Sequence, residues 1–226
     1  MMTRSKLTLM TSASRAMRVA VMAIAAVACG SAAKADMIFH DGAGFIQPAE
    51  NVLLPTGQTG LTVTGETNQT HVTVNFSQPT LPEQITTPAN GQSRIAGVDG
   101  AYTSLRIELA SGYFFTQLEA NPIFLSGGID FVVGAFDPVN SIWTEHFISG
   151  SGNSYFSVEA TDGWLISYVD ITGPANSIQD VRQIRIGGVQ NGQGPLPVPE
   201  PGTAALLAFG AFGFAGNLYR MRRQAS

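Results

Sequence analysis

Residues 36–197 show apolar and polar positions alternating in many short runs, and no long stretch has apolar residues at helical spacing. Residues 61–64 and 71–76 flank a polar turn region, which predicts a hairpin. Gly-containing turn sequences separate the later runs. Together the runs predict one antiparallel β-sandwich domain, jelly-roll-like, over residues 36–190. The further predicted strands are 94–98, 105–109, 113–118, 129–136, 142–148, 154–160, 165–171 and 181–186.

The same alternation assigns side chains to faces. Three apolar residues of the hairpin, at positions 72, 74 and 76, are expected to point into the core. In residues 105–109 the alternation sends Arg106 and Glu108 to solvent. Gly187-Gly188 predicts the end of the last strand or a bulge, and the Gly- and Pro-rich residues 191–197 predict a short linker.

The N-terminal 35 residues follow a different pattern. Four basic residues and no acid lie in residues 1–18, an apolar run covers 19–28, and Ala33-Lys34-Ala35 precedes Asp36. This order predicts a secretory signal peptide, residues 1–35, cleaved after Ala35. An alternative is lipidation at Cys29, because residues 26–29 loosely resemble a lipobox.

The C-terminus combines an uncharged run with basic residues. The 19 residues between Glu200 and Arg220 carry no charge, and at about 1.5 Å per residue they approach the ~30 Å hydrocarbon core. Residues 202–219 therefore predict a single transmembrane helix, whose C-terminal arginines stay on the cytoplasmic side. The alternative is a buried helix of a soluble fold. The arginines are Arg220, Arg222 and Arg223.

Residues 198–226 also resemble a known signal. Pro199-Glu200-Pro201, the apolar run and the arginine cluster, which Met221 interrupts, resemble the PEP-CTERM sorting signal of Gram-negative bacteria. The resemblance implies an exosortase, a membrane transpeptidase-like processing enzyme, as partner and a temporary anchor in the inner membrane. It also implies export to the cell surface or the extracellular matrix. Residues 51–54, 64–70, 91–95 and 180–188 resemble uncharacterised exported bacterial β-sandwich proteins, which implies no activity.

Charge and cysteine content exclude several functions for the mature domain. Between residues 36 and 197 four arginines face fifteen acids, without any lysine, so the formal charge is −11. Such a domain repels nucleic acid and anionic membrane surfaces, and neither is expected as its partner. Arg182 and Arg185 are expected to pair with Asp170 or Asp180. Cys29 is removed with the signal peptide, so no disulfide or thiolate nucleophile is expected.

No catalytic, metal-binding or cofactor-binding residue is predicted. His40, His71 and His146 lack partners at metal-ligand spacing, and no Gly-x-Ser-x-Gly sequence occurs. The acidic turns at Asp99 and Asp162 could hold structural calcium, but turn formation explains them equally well. A glycosidase-like carboxylate pair is conceivable, although nothing selects one pair. The candidate acids are Asp130, Glu145, Glu159, Asp162, Asp170 and Asp180.

Three aromatic residues could contact a glycan. Trp143, Tyr155 and Trp164 could stack on a sugar ring if they are exposed, and otherwise they belong to the core. The sequence thus favours an exported, non-enzymatic surface or matrix protein. The alternative is a carbohydrate-binding module for extracellular polysaccharide, and a glycoside-active enzyme ranks below both.

Overall fold

A computed structural model describes residues 36–89, 94–149 and 154–192 of the chain. These residues form sixteen strands and no helix, so no helix among them could cross a membrane. The predicted signal peptide, transmembrane helix and sorting signal lie outside the described residues. The first eight strands are β1 Met37–Asp41, β2 Glu50–Leu53, β3 Thr59–Gly60, β4 Thr62–Thr67, β5 Thr73–Ser77, β6 Ile85–Thr86, β7 Arg94–Gly97 and β8 Ser104–Leu109. The other eight are β9 Tyr113–Phe114, β10 Gln117–Phe124, β11 Phe131–Asp137, β12 Ile142–Ile148, β13 Phe156–Ala160, β14 Tyr168–Thr172, β15 Ile178–Gly187 and β16 Gln190–Asn191.

The strands pair antiparallel in two layers. Layer A contains β1, β13, β10, β15, β7, β6 and β3, and layer B contains β12, β11, β14, β8, β5 and β4. β2 pairs with β15 of layer A and with β4 of layer B, which joins the layers into one nearly closed sheet. β9 and β16 form a separate two-stranded sheet.

The core lies between the layers because every second side chain of each strand turns inward. Phe76 and Ile107 of layer B and Leu118 and Ile186 of layer A are fully buried in one cluster. The inward residues of the predicted hairpin are buried, while Arg106 and Glu108 are only partly covered. The predicted hairpin is confirmed as the pairing of β4 with β5.

Several strand boundaries differ from the prediction. The prediction lacks β1, β2, β3, β6 and β16, and the predicted strand 113–118 divides into β9 and β10. The backbone of Gln183 has a positive φ of 52°, where two residues of β15 bulge opposite one of β10. β15 ends at Gly187 as predicted, but Asn191, at the start of the predicted linker, pairs with Tyr113 in β16. The all-β antiparallel class is confirmed, and the jelly-roll-like connection stays a prediction.

Candidate functional site

The outer face of layer B carries one continuous row of side chains across six strands. Trp143 lies opposite Phe136, and Phe136 lies opposite Tyr168. These three residues form the aromatic row. The register continues through Glu108, Asn75 and Thr64, which form the polar row. Because neighbouring strands are about 4.8 Å apart, the combined row extends about 24 Å.

Trp143 lies at one end of this row and is partly exposed to solvent. Its indole ring lies above Gly134, where an added Cβ would overlap the ring, so the absence of a side chain makes room for it. The indole Nε1 donates a hydrogen bond of 2.6 Å to Glu145 on the same strand. Trp143 nevertheless remains 39% exposed, and Phe147, further along the same face, is 61% exposed. The ring is thus held in place with much of its surface in solvent.

The ring of Tyr168 packs against two other rings of the aromatic row. Its ring stacks on Phe136 with centroids 5.2 Å apart, and the Trp143 ring is 5.8 Å away at an angle of 33°. The guanidinium carbon of Arg106 lies 3.9 Å from the Tyr168 centroid. Because the guanidinium covers Tyr168, Trp143 offers the more accessible ring of the aromatic row.

Arg106 is fixed by a two-pronged ion pair. Its Nε and Nη2 each donate a hydrogen bond of 2.8 Å to a different oxygen of Asp170. The hydrogen bond to Asp170 raises the pKa of Arg106 above its ordinary value, while partial burial opposes the shift. The arginine therefore stays charged, with its charge directed at one carboxylate.

Of the three aromatic residues predicted as possible glycan contacts, Trp143 lies in this exposed row. Trp164 is partly buried against the hydrophobic core, and its backbone N–H donates to Thr161 in a turn. Tyr155 is partly buried, and its carbonyl accepts from the Gly42 backbone N–H. The residues that do join Trp143 are Phe136 and Tyr168. The outward orientation of Tyr168 follows from its alternation with Val169 and Ile171, whereas Phe136 ends an uninterrupted run without polar residues. The positions of both beside Trp143 depend on strand register.

The candidate carboxylates have individual partners. Asp180 is almost fully buried and accepts hydrogen bonds from both Arg94 and Arg182. The predicted pairing of Arg182 with Asp180 is confirmed. The prediction is wrong for Arg185, which forms no ion pair with an acid of the described residues, and Asp170 is bound by Arg106 instead. Asp162 has a positive φ of 53° and forms a turn with Gly163. Among the remaining candidates, Glu159 accepts from Gln117 and Asp130 accepts from Ser149.

The histidines also have local partners. His71 Nδ1 lies 2.6 Å from Glu66, and His146 Nε2 lies 2.8 Å from Asp41. His146 also stacks on Phe39, and His40 stacks on Phe45. Within residues 36–89, 94–149 and 154–192, no three His, Cys, Asp or Glu side chains are grouped as metal ligands.

The C-terminal part of the chain matches a known family of sorting signals. A family profile described as the PEP-CTERM protein-sorting motif matches residues 197–223. The chain carries a PEP-CTERM sorting motif. The match includes Pro199, Glu200 and Pro201 as well as the arginine cluster. It is consistent with a PEP-CTERM protein, and the described domain upstream of the motif is rich in β-strand.

Comparison with other proteins adds little to the PEP-CTERM match. No curated protein matches the chain. Among solved structures, a mutant of the family 29 carbohydrate-binding module CBM29-2 is 14% identical, with 71% of this chain and 93% of that chain covered and a TM-score of 0.28. The module CBM29_1 from Piromyces equi is 11% identical, with coverages of 68% and 89% and a TM-score of 0.33. These values are too low to transfer a fold or a ligand.

Proposed function

We propose that this chain is an exported, non-enzymatic protein that an exosortase processes at its PEP-CTERM signal. The match to residues 197–223 carries the proposal. In this proposal the signal peptide, residues 1–35, is cleaved after Ala35, and residues 202–219 anchor the chain in the inner membrane until processing. The β domain then stays at the cell surface or enters the extracellular matrix.

The arrangement of the acids supports a non-enzymatic role. Asp170 and Asp180, two of the candidate acids, are engaged in ion pairs with arginines that position neighbouring strands. Glu145 accepts the hydrogen bond that orients Trp143. A general acid or base needs a carboxyl group that can exchange a proton with a bound substrate. Carboxylates held by arginine or indole donors are poorly suited to that task.

Mass spectrometry of the processed protein tests the sorting proposal. In the producing bacterium we expect the wild-type protein to end upstream of the apolar run, whereas Glu200→Ala should retain residues 202–219. Gln224→Ala is the matched control, because it changes a polar residue of the same tail beyond the matched motif. The same C-terminus in the wild type and in Glu200→Ala would reject the sorting proposal.

Glycan binding at Trp143 is a second candidate function. The observation that favours it is the indole ring held above Gly134 and oriented by Glu145, in line with the polar row. A pyranose ring has an apolar face of C–H groups that can stack on an indole, while its hydroxyl groups need hydrogen-bond partners. Glu108 and Asn75 supply such partners along the direction of the row, whereas the Thr64 hydroxyl donates to Gln58.

Affinity electrophoresis of the full chain in detergent tests this second function. Gels containing soluble polysaccharides should retard the wild-type chain, and Trp143→Ala should lose about tenfold or more in affinity, as for a residue that dominates a binding surface. Phe45→Ala is the control, because Phe45 is another exposed aromatic residue and stacks on His40 of layer A. Equal retardation of wild type and Trp143→Ala would exclude this site.

A further inference from the structure

The charges on the outer face of layer B are strongly unequal. Four carboxylates lie on this face, and they belong to Glu66, Glu108, Glu145 and Asp170. Arg106 is the one arginine or lysine on this face among the described residues. With histidine neutral, the face therefore carries a formal charge of −3. Any ligand that lies along the row meets a surface of negative charge.

Arg106 is not available to compensate an anionic ligand. Both of its hydrogen bonds of 2.8 Å go to Asp170, and its guanidinium covers the Tyr168 ring. To bind a ligand carboxylate, Arg106 would have to leave Asp170, whose carboxylate is largely buried and would then lose its partner. Arg106 therefore has a structural role on this face, in which it binds Asp170 and covers Tyr168.

A glycan that is stacked on Trp143 and extends along the row would pass two carboxylates that form no ion pair with an arginine of the described residues. Glu145 Oε1 is 2.6 Å from the indole Nε1, at the edge of the ring. Glu108 lies directly opposite Tyr168, one strand further along the row. Carboxylates only accept hydrogen bonds, and sugar hydroxyls can donate them. A carboxylate, sulfate or phosphate on the ligand would instead be repelled and would lose its hydration without a donor in return.

We propose that the outer face of layer B selects neutral glycans and rejects anionic ones. This inference rests on the proposed glycan binding at Trp143 and adds the chemical class of the ligand. The indole ring supplies the stacking surface, and Glu145 and Glu108 accept hydrogen bonds from hydroxyl groups. The uncompensated charge of the face disfavours acidic polysaccharides.

Matched polymers with and without charge test the inference. The full chain in detergent is run through native gels containing hydroxyethyl cellulose or carboxymethyl cellulose, and dextran or carboxymethyl dextran. Each pair shares a backbone and differs in charge. We expect retardation by at least one neutral polymer, and an affinity for its carboxymethyl counterpart that is at least about tenfold lower, which corresponds to about 1.4 kcal/mol of repulsion.

Charge-removing substitutions identify the groups responsible. The double variant Glu108→Gln and Glu145→Gln keeps an acceptor for the indole and for hydroxyl groups while it removes two charges. The ratio of its affinity for the neutral polymer to its affinity for the carboxymethyl polymer should fall about three- to tenfold relative to wild type. Circular dichroism of the variant checks that it is folded.

Different results would overturn charge selection and glycan binding at Trp143. Equal or tighter binding of the carboxymethyl polymers by the wild-type chain would overturn the charge selection and leave glycan binding standing. Retardation by none of the neutral polymers would overturn both. Retardation by a neutral polymer that persists in Trp143→Ala would move binding to another face and would also overturn the inference.

Discussion

The two outer faces of the domain arise from the same alternation of side chains, yet they differ in how their charges are compensated. On layer A, the buried Asp180 is bound by Arg94 and Arg182. The carboxylate of Glu119 accepts a hydrogen bond from the Gly44 backbone N–H. On layer B, Trp143 stays exposed, and among the described residues Asp170 is the one carboxylate of this face that forms an ion pair with an arginine. The first face is held by buried ion pairs, whereas the second exposes an aromatic ring, as the proposed glycan binding requires.

The largest expected effect is a loss of stability on layer A. Asp180→Ala removes the carboxylate of a 1% exposed residue and leaves Arg94 and Arg182 without it. Breaking a buried ion pair costs about 3–5 kcal/mol, and because these arginines are partly exposed we expect about 3 kcal/mol in urea denaturation. Asp130→Ala, which removes one exposed partner of Ser149, serves as the control. A loss below about 1 kcal/mol for Asp180→Ala would contradict the structural role of this face.

A glycine substitution on layer B should separate binding from stability. Gly134→Ala places a methyl group where the indole of Trp143 lies, so the ring must move. We expect glycan affinity to fall about tenfold, while the free energy of unfolding changes by less than about 1 kcal/mol. Gly127→Ala is the matched control, since an added Cβ there meets open space. Unchanged affinity in Gly134→Ala would show that the position of the ring does not matter.

The alkaline limit of stability should depend on Tyr102, which lies in the core beneath layer A. Burial, and secondarily the charge of Asp180, raises the pKa of Tyr102 well above its ordinary value. The unfolded chain can lose this proton above about pH 10 while the folded chain retains it. The stability that protonated Tyr102 contributes is therefore fully present below about pH 10 and is lost as the pH rises further.

Thermal unfolding followed by circular dichroism from pH 8 to 11.5 checks this dependence. Tyr102→Phe loses a hydrogen bond to the Ile95 carbonyl and should be about 1 kcal/mol less stable at pH 8. Its stability should then fall less steeply above about pH 10. Tyr113→Phe, at a half-buried tyrosine, is the control. Parallel pH profiles for wild type and Tyr102→Phe would refute the assignment.

The smallest effect is expected where strands β1 and β12 meet. His146 Nε2 lies 2.8 Å from Asp41, but both side chains are substantially exposed. Exposed ion pairs contribute little, so Asp41→Asn should change the free energy of unfolding by less than about 0.5 kcal/mol. Asp99→Asn provides the reference for removing a surface charge. A loss above about 1.5 kcal/mol would mean that this contact holds the two layers together.

Alternation in the sequence was enough to predict the all-β class and the orientation of the few side chains that were assigned to a face. It placed Arg106 and Glu108 outside and the β4–β5 hairpin correctly, because the period of a strand is local. It could not predict that Phe136 and Tyr168 lie beside Trp143, since the register of β11 and β14 joins Phe136 to a residue 32 positions away. β1 was missed because its pairing with β13 involves residues more than a hundred positions away.

The most direct test of the difference between the two faces is a nuclear magnetic resonance titration of the full chain in detergent micelles. The probe is a neutral oligosaccharide from whichever polymer retards the chain. We predict chemical-shift changes at the Trp143 indole N–H and the Gly134 amide, with none at Gly44 or at the Arg182 side chain. Changes at Gly44 or Arg182, with the Trp143 indole unaffected, would contradict the assignment of the open face to ligand binding.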